Sequence, residues 1–427
     1  MGATAQLRAK ARRWRQWAAI ALWLPVVASA ADPSLSARRA DFDELWRTVN
    51  GQYVFLDGKQ LWWNTLRERY ADRVAQATTA DAWSAVIEDA LDELHDFHIG
   101  SNPGSAQVSL AVPTSADLWA VEDGADARVT AVRPGTDAQR ARIRAGDRII
   151  RIDGQPVATA IANRLGPAVD ATQPAAREWA LLTLVAGRRG VARTLELRAA
   201  EGGERTVTLP ATRRFDGPAM PLSWSRLPDD IGVIRINNSL GEQATVGAFD
   251  AALAQLRDTR GLILDLRECP SGGNSGVALG ILGRFVDMRR PYQRHRIPRY
   301  GQADVERNWL EEVAPRGPFT YRAPVVVLVG HWTGSMGEGM AVGLDGMRRA
   351  TVVGSTMAQL AGATETFTLA RTGARVALPT EELFHVDGTP RHRWVPPVVI
   401  APGASLSDAD AGLEHARGVL RGASTVR

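Results

Sequence analysis

The chain has 427 residues, 45% of them apolar and 23% charged, enough for more than one domain with a real core. Its formal charge of +4 includes Arg8, Lys10, Arg12, Arg13 and Arg15 within the first thirty residues; without these five the remainder carries −1 and offers no basic face for nucleic acid. A single cysteine, Cys269, excludes an internal disulfide and any metal site built on clustered thiolates.

The five cations precede an apolar stretch from Trp17 to Val27 and the small residues Ala28, Ser29 and Ala30. A basic segment, a short apolar segment and a small-residue cleavage point mark a secretory signal peptide over 1–30. The mature chain is therefore expected to begin near Ala31 and to reside in the periplasm or outside the cell. About eleven apolar residues are too few to cross roughly 30 Å of hydrocarbon, and no later segment reads as a membrane span. Lys10 and Lys59 are the only lysines.

Apolar residues then recur at spacings of three and four: Phe42, Leu45, Trp46 and Val49; Trp62, Leu66 and Tyr70; Trp83, Val86, Ile87, Ala90, Leu91 and Leu94. This periodicity predicts amphipathic helices in a cap over 31–104, with Thr79 and Asp81 marking the start of one helix and its first helical residues beyond them. From 105 to 212 the pattern turns to short strands punctuated by Pro134-Gly135 and Asp153-Gly154. From 213 to 427 strands alternate with helices: a strand at Ile231–Ile236, a helix at Gly247–Leu256, a buried strand at Gly261–Leu266 and a helix at Val277–Val286. A strand at 324–329 follows, then a helix beginning near Ser335 and later strands near Val352 and Arg375. Such alternation predicts an α/β layer with a mainly parallel sheet. Residues 288–322, rich in Arg, Tyr and Pro, read as an irregular excursion beside that sheet.

Ser335 stands where an apolar strand breaks through Gly330 and Gly334 into a helical segment. A helix N-terminus offers unpaired N–H groups and positive dipole to a developing oxyanion, so a serine there is a candidate acyl-transfer nucleophile.

The stretch Val132-Arg133-Pro134-Gly135-Thr136-Asp137-Ala138, with Arg144-Ala145-Gly146-Asp147-Arg148-Ile149-Ile150 and Ile152-Asp153-Gly154-Gln155-Pro156-Val157, resembles a PDZ domain. No carboxylate-receiving loop is recognisable before Val129, where Ser115 to Trp119 stand. The whole ordered set is similar to the serine peptidase family of the C-terminal processing proteases and the tricorn core. That set comprises the cap ending in Leu94-His95-Asp96-Phe97-His98, the PDZ-like insert, Leu264-Asp265-Leu266-Arg267 with Pro270-Ser271-Gly272-Gly273, Gly334-Ser335-Met336-Gly337-Glu338, and Val352-Val353-Gly354.

The resemblance implies an α/β core of the ClpP/crotonase type carrying a helical cap and a PDZ-like β-rich domain. It implies Ser335 as nucleophile and an oxyanion hole from Met336 and Gly272 or Gly273, with Glu338 a capping or packing residue. One branch of the family places a lysine about twenty-five residues after the serine. Thr356 to Ala363 contain none, and arginine stays protonated, so a Ser/Lys dyad is excluded unless Lys59 reaches across. The tricorn-like branch takes its base from the Leu-x-Asp-x-His element, which implies His98; His95 is expected in a supporting or solvent position. That branch also carries a glutamate before its last Pro-containing strand, and Asp387 to Pro397 hold none. Glu381, Glu382 or Asp387 remain as orienting acids, with His392 a possible support.

The expected function is an exported, tail-specific serine endopeptidase that hydrolyses polypeptides through an acyl-enzyme without metal or cofactor, its PDZ-like module presenting or gating substrate. The alternative is a catalytically impaired protein on the same fold that binds peptides or an apolar ligand.

Overall fold

The computed structural model describes residues 32–102, 111–166, 172–211, 220–298, 305–400 and 410–424. The signal-like segment 1–30 and its expected cleavage point lie outside them. No helix among the described residues is long and apolar enough to cross a membrane.

The cap is built from α1 (Leu35–Gln52), α2 (Gln60–Asn64), α3 (Leu66–Gln76) and α4 (Ala80–Asp92). Ser34 and Thr79 start α1 and α4 by accepting the N–H groups of Ala37 and Ala82, each three residues on. Phe42, Leu45, Val49, Tyr70, Trp83, Ile87 and Leu91 converge in one core that also takes in Leu369, Val376 and Leu378 from far along the chain. Trp63 is fully buried there, whereas Trp62 only leans on the rim. After α4 the chain turns through Asp96 and His98 into β1 (Gly100–Asn102).

The second unit contains β2 (Leu118–Asp123), β3 (Asp126–Val132), α5 (Asp137–Arg140), β4 (Arg148–Ile152), β5 (Gln155–Pro156), α6 (Val157–Leu165), α7 (Pro174–Ala186), β6 (Arg193–Arg198) and β7 (Glu204–Leu209). Its antiparallel sheet runs β2-β3-β4-β6-β7, with β5 on β4. Asp153 and Gly154 both take positive φ in the tight β4–β5 turn, the conformation that favours Asp-Gly there. Leu118, Ala120, Val129, Ile149 and Leu195 bury against Ile161, Trp179, Leu181 and Val185 of α6 and α7.

The third unit opens with β8 (Leu222–Arg226), β9 (Ile231–Ile236), α8 (Ala244–Gln255), β10 (Gly261–Asp265) and α9 (Ser275–Leu282). It continues through β11 (Arg290–Ile297), β12 (Arg307–Val313), β13 (Val325–Val329), α10 (Met336–Gly346), β14 (Thr351–Gly354), β15 (Ala363–Thr368), β16 (Arg375–Phe384), β17 (Val398–Val399) and α11 (Ala411–Ser424). Its main sheet, ordered β17-β14-β13-β10-β9-β8, is parallel from β9 to β17. β13 is apolar at every position because both its faces are covered. Val325, Val327 and Val329 meet residues of α8, α9 and α10, while Val326 and Leu328 meet Ala416 and Leu420 of α11.

A second sheet, β1-β16-β11-β12 with β15 on β16, joins cap to core. The N-terminal half of β16 pairs with β1, Gly100 opposite Ala377, and its C-terminal half pairs with β11, His295 opposite Leu383. Within the excursion expected to be irregular at 288–322, Arg290–Ile297 and Arg307–Val313 instead pair as antiparallel strands of this sheet, with one register shift between Pro291 and Gln293. Their buried positions include Gln293 and His295, so the apolar alternation that signals a strand is missing.

Candidate active site

Three loops meet where β13 ends. Ser335 is the N-cap of α10, with φ 50° and ψ −111°, a conformation a serine seldom adopts and that costs on the order of 1–3 kcal/mol. The Glu338 carboxylate holds it there: Oε2 accepts the Ser335 N–H at 2.8 Å and the Leu360 N–H at 3.3 Å. Glu338 is fully buried, and burial pushes its carboxyl up to about 7 although Arg391 and the backbone donors pull it down. It is a capping residue, and its engagement of the Ser335 N–H leaves the next amide, that of Met336, without an acceptor among the described residues.

The glycine turn lies directly against this serine. The Cys269 carbonyl accepts from Gly272 N–H at 3.3 Å and from Gly334 N–H at 3.1 Å, stitching the two loops together. Gly272 has φ +64°, and a Cβ there would overlap Ser335 Cβ and come within 2.9 Å of its Oγ and 3.0 Å of the Met336 nitrogen. Only glycine allows that approach. A Cβ on Gly273 would overlap the Leu240 carbonyl. Because the Gly272 N–H is used within its turn, the exposed Gly273 amide, with no acceptor among the described residues, is the better oxyanion donor of the two.

His98 arrives from the cap. Asp96 Oδ1 accepts its backbone N–H at 2.8 Å, and its ring bridges two partners: Nε2 is 3.1 Å from Ser335 Oγ, and Nδ1 is 2.8 Å from the Ala361 carbonyl oxygen. A carbonyl only accepts, so Nδ1 carries the proton and Nε2 turns its lone pair to the serine. Burial lowers the His98 pKa from 6.5 and the Arg391 charge lowers it further, against partial compensation from the Ala361 carbonyl and Asp96.

None of the acids expected to orient His98 does so. Glu381 bonds His295 Nδ1 at 2.9 Å, Glu382 pairs with Arg296 at 2.9 Å, and Asp387 lies 2.9 Å from His385. The main-chain oxygen of Ala361 stands in that place, in the very stretch that lacks a lysine. Lys59 does not reach the serine: its Nζ donates to the Leu94 carbonyl at 2.5 Å and to Tyr53 Oη at 3.4 Å, and Tyr53 in turn donates to Asp96 at 2.9 Å. This buttresses the turn that carries His98. His95 packs 4.8 Å from Trp179, and His392 meets the edge of Phe55 at 5.6 Å.

The segment Ser115 to Trp119, where a carboxylate-receiving loop would stand, turns instead onto the serine loop. Trp119 stacks on His331 at 4.6 Å with the rings 2° from parallel, and the Trp332 indole donates to the Ala116 carbonyl at 2.7 Å. Arg133 pairs with Glu268 at 3.0 Å, just ahead of the glycine turn. The second unit thus grips both loops of the site.

Comparison with known proteins agrees with this architecture. Residues 230–400 match Peptidase family S41, 36–92 the Tricorn protease C1 domain and 108–182 the PDZ domain. The photosystem II D1 C-terminal processing protease superposes with a TM-score of 0.54 at 21% identity, over 90% of this chain and 96% of its own. Mature CPAF does so with a TM-score of 0.61 at 15% identity, over 91% and 97%. Both likenesses are of fold. The class is that of the serine-type peptidases. Within it, residues 230–400 form a domain of peptidase family S41, preceded by a tricorn-type cap domain and a PDZ domain.

Proposed function

We propose that the protein hydrolyses polypeptides through a Ser335–His98 pair. Ser335 Oγ attacks the scissile carbonyl carbon as its proton passes to His98 Nε2, and the oxyanion forms against the amides of Met336 and the Gly272-Gly273 turn. His98 then gives that proton to the leaving amine as the C–N bond breaks, leaving an ester on Ser335. Water, deprotonated by the same nitrogen, attacks the ester carbon, and the C–Oγ bond breaks as that proton returns from Nε2 to Ser335 Oγ, releasing the acid. The observation that carries this reading is the 3.1 Å contact from Oγ to Nε2 with the other ring nitrogen engaged by Ala361.

The PDZ unit would present or gate chain ends, a role supported by its grip on both loops through Trp119, Ala116 and Arg133. Export to the periplasm or beyond is supported by the basic and apolar pattern of 1–30; N-terminal sequencing of protein recovered outside the cytoplasm should begin near Ala31. A fluorophosphonate probe tests the chemistry. It should modify Ser335 in folded protein, fail in Ser335→Ala and react far more slowly in His98→Ala. Folded protein that resists the probe would instead favour a peptide- or apolar-ligand-binding protein on this fold.

A further inference from the structure

We infer that Arg391 is a positioning residue that seats the Ala361 carbonyl against His98, so that a main-chain oxygen takes the place of an orienting acid. This rests on the reading of His98 as the base.

Arg391 opens a short 3₁₀ turn at Arg391–Arg393 and is only 2% exposed. Its Nη2 donates to the Leu360 carbonyl at 3.1 Å and to the Gly362 carbonyl at 2.8 Å, the oxygens on either side of Ala361. With both neighbours clasped, the intervening oxygen is left for His98 Nδ1 at 2.8 Å. The same strap is held from the other side by Glu338, which takes the Leu360 N–H together with that of Ser335. One buried cation and one buried anion therefore fix the hydroxyl-bearing residue and the ring's partner in a common frame. Both bonds leave one terminal nitrogen whose two N–H directions are fixed in the guanidinium plane; an ammonium offers a point charge on a flexible stem.

The arrangement sets geometry against basicity. A carboxylate on Nδ1 would stabilise the imidazolium, whereas a carbonyl fixes the tautomer and Arg391 opposes the positive charge. The groups facing His98 are Asp96 on its own turn, Ser335 at the start of α10, the Ala361 and Gly362 carbonyls, and Arg391, while Glu338 acts one bond away through the Ser335 and Leu360 amides. Tyr53, Lys59 and His392 stand around Asp96. Two charged groups bond the strap directly, Arg391 at the carbonyls flanking Ala361 and Glu338 at the Leu360 N–H, and of these only Arg391 holds the carbonyl side.

The test uses the full chain with ¹⁵N-labelled histidine, His98 being assigned by its loss in His98→Gln. Arg391→Gln, Arg391→Lys and Arg349→Gln are compared with wild type by NMR titration and by the pH dependence of fluorophosphonate labelling. Arg349 clasps the Phe285 and Ala323 carbonyls at 3.0 and 2.8 Å away from the site and controls for lost stability. Arg391→Gln should release the Nδ1–H tautomer, raise the His98 pKa and slow labelling on the order of 100-fold. Arg391→Lys should release the tautomer while the pKa stays low, and it serves if the glutamine variant does not accumulate. Arg349→Gln should lower the melting temperature and leave both His98 readouts alone. Folded Arg391 variants that keep the wild-type tautomer and labelling rate would overturn the inference, as would an Arg349→Gln that reproduces their effects. If wild type itself resists the probe while Arg391→Gln still shifts the tautomer, positioning stands and the proposed chemistry falls.

Discussion

Glu338 receives the backbone N–H of Ser335 at 2.8 Å, so the residue carrying the hydroxyl is held at positive φ by a side chain three positions further along the same helix. A helix start normally shares its free amides among solvent and caps. Here one is committed to Glu338 and the next, Met336, is kept open beside Gly272. A capping interaction thereby decides which amide is left open beside the serine.

Replacing Glu338 by alanine should therefore strand two N–H groups and leave Arg391 as an uncompensated buried cation. We expect a loss of about 3 kcal/mol in urea denaturation and no measurable fluorophosphonate labelling. Glu338→Gln keeps an acceptor for Ser335 and should retain most of the labelling. Equal behaviour of the two variants would remove the capping role.

Labelling should survive below the usual histidine range. Under the proposed chemistry the neutral ring takes the serine proton, and burial followed by the Arg391 charge sets the His98 pKa below 6.5. The acidic limb of the rate profile is thus expected at a pH under 6.5. Glu338, pushed up to about 7 by burial, titrates nearby; running the profile in Glu338→Gln separates the two. A midpoint above 6.5 in that variant contradicts the assignment.

Gly272→Ala should abolish labelling without unfolding the core. The added Cβ meets Ser335 Oγ at 2.9 Å and the Met336 nitrogen at 3.0 Å, at a φ of +64° that alanine rarely adopts. The circular dichroism spectrum should stay near wild type while the probe reaction disappears. Retained reactivity would mean that the turn lies elsewhere in solution.

His295 offers a prediction about stability. Its two ring nitrogens each meet a carboxylate at 2.9 Å, Glu381 and Glu311, and its ring stacks on Trp309 at 4.8 Å. Burial lowers its pKa, but the bonds to Glu311 and Glu381 outweigh this and raise it above 6.5. The folded state then binds the proton more tightly than the unfolded chain. The contribution is fully present below pH 6.5 and is lost as pH rises through the folded value. The melting temperature should fall across that interval in wild type and change less in His295→Gln; parallel curves would refute the linkage.

Legibility in the sequence followed where side chains carry the structure. Val325 to Val329 announced a strand covered on both faces, and Thr79 announced a helix start that its side chain makes. The β11–β12 hairpin was hidden because Gln293 and His295 point inward to polar partners, breaking the apolar alternation. Ala361 acts through its main chain, and no residue type advertises that. Arg391 did leave a sign: it stands in the stretch where an acid was sought, but a guanidinium has no acceptor for the Nδ1–H. Its effect passes through two carbonyls that only folding brings to it.

Under the proposed chemistry, the separation of 237 positions from His98 to Ser335 bears on synthesis itself. The cap leaves the ribosome first, whereas the serine emerges much later and the guanidinium that seats Ala361 later still. An unfinished copy, or either half of a clipped one, therefore carries no hydrolytic centre to turn on its neighbours.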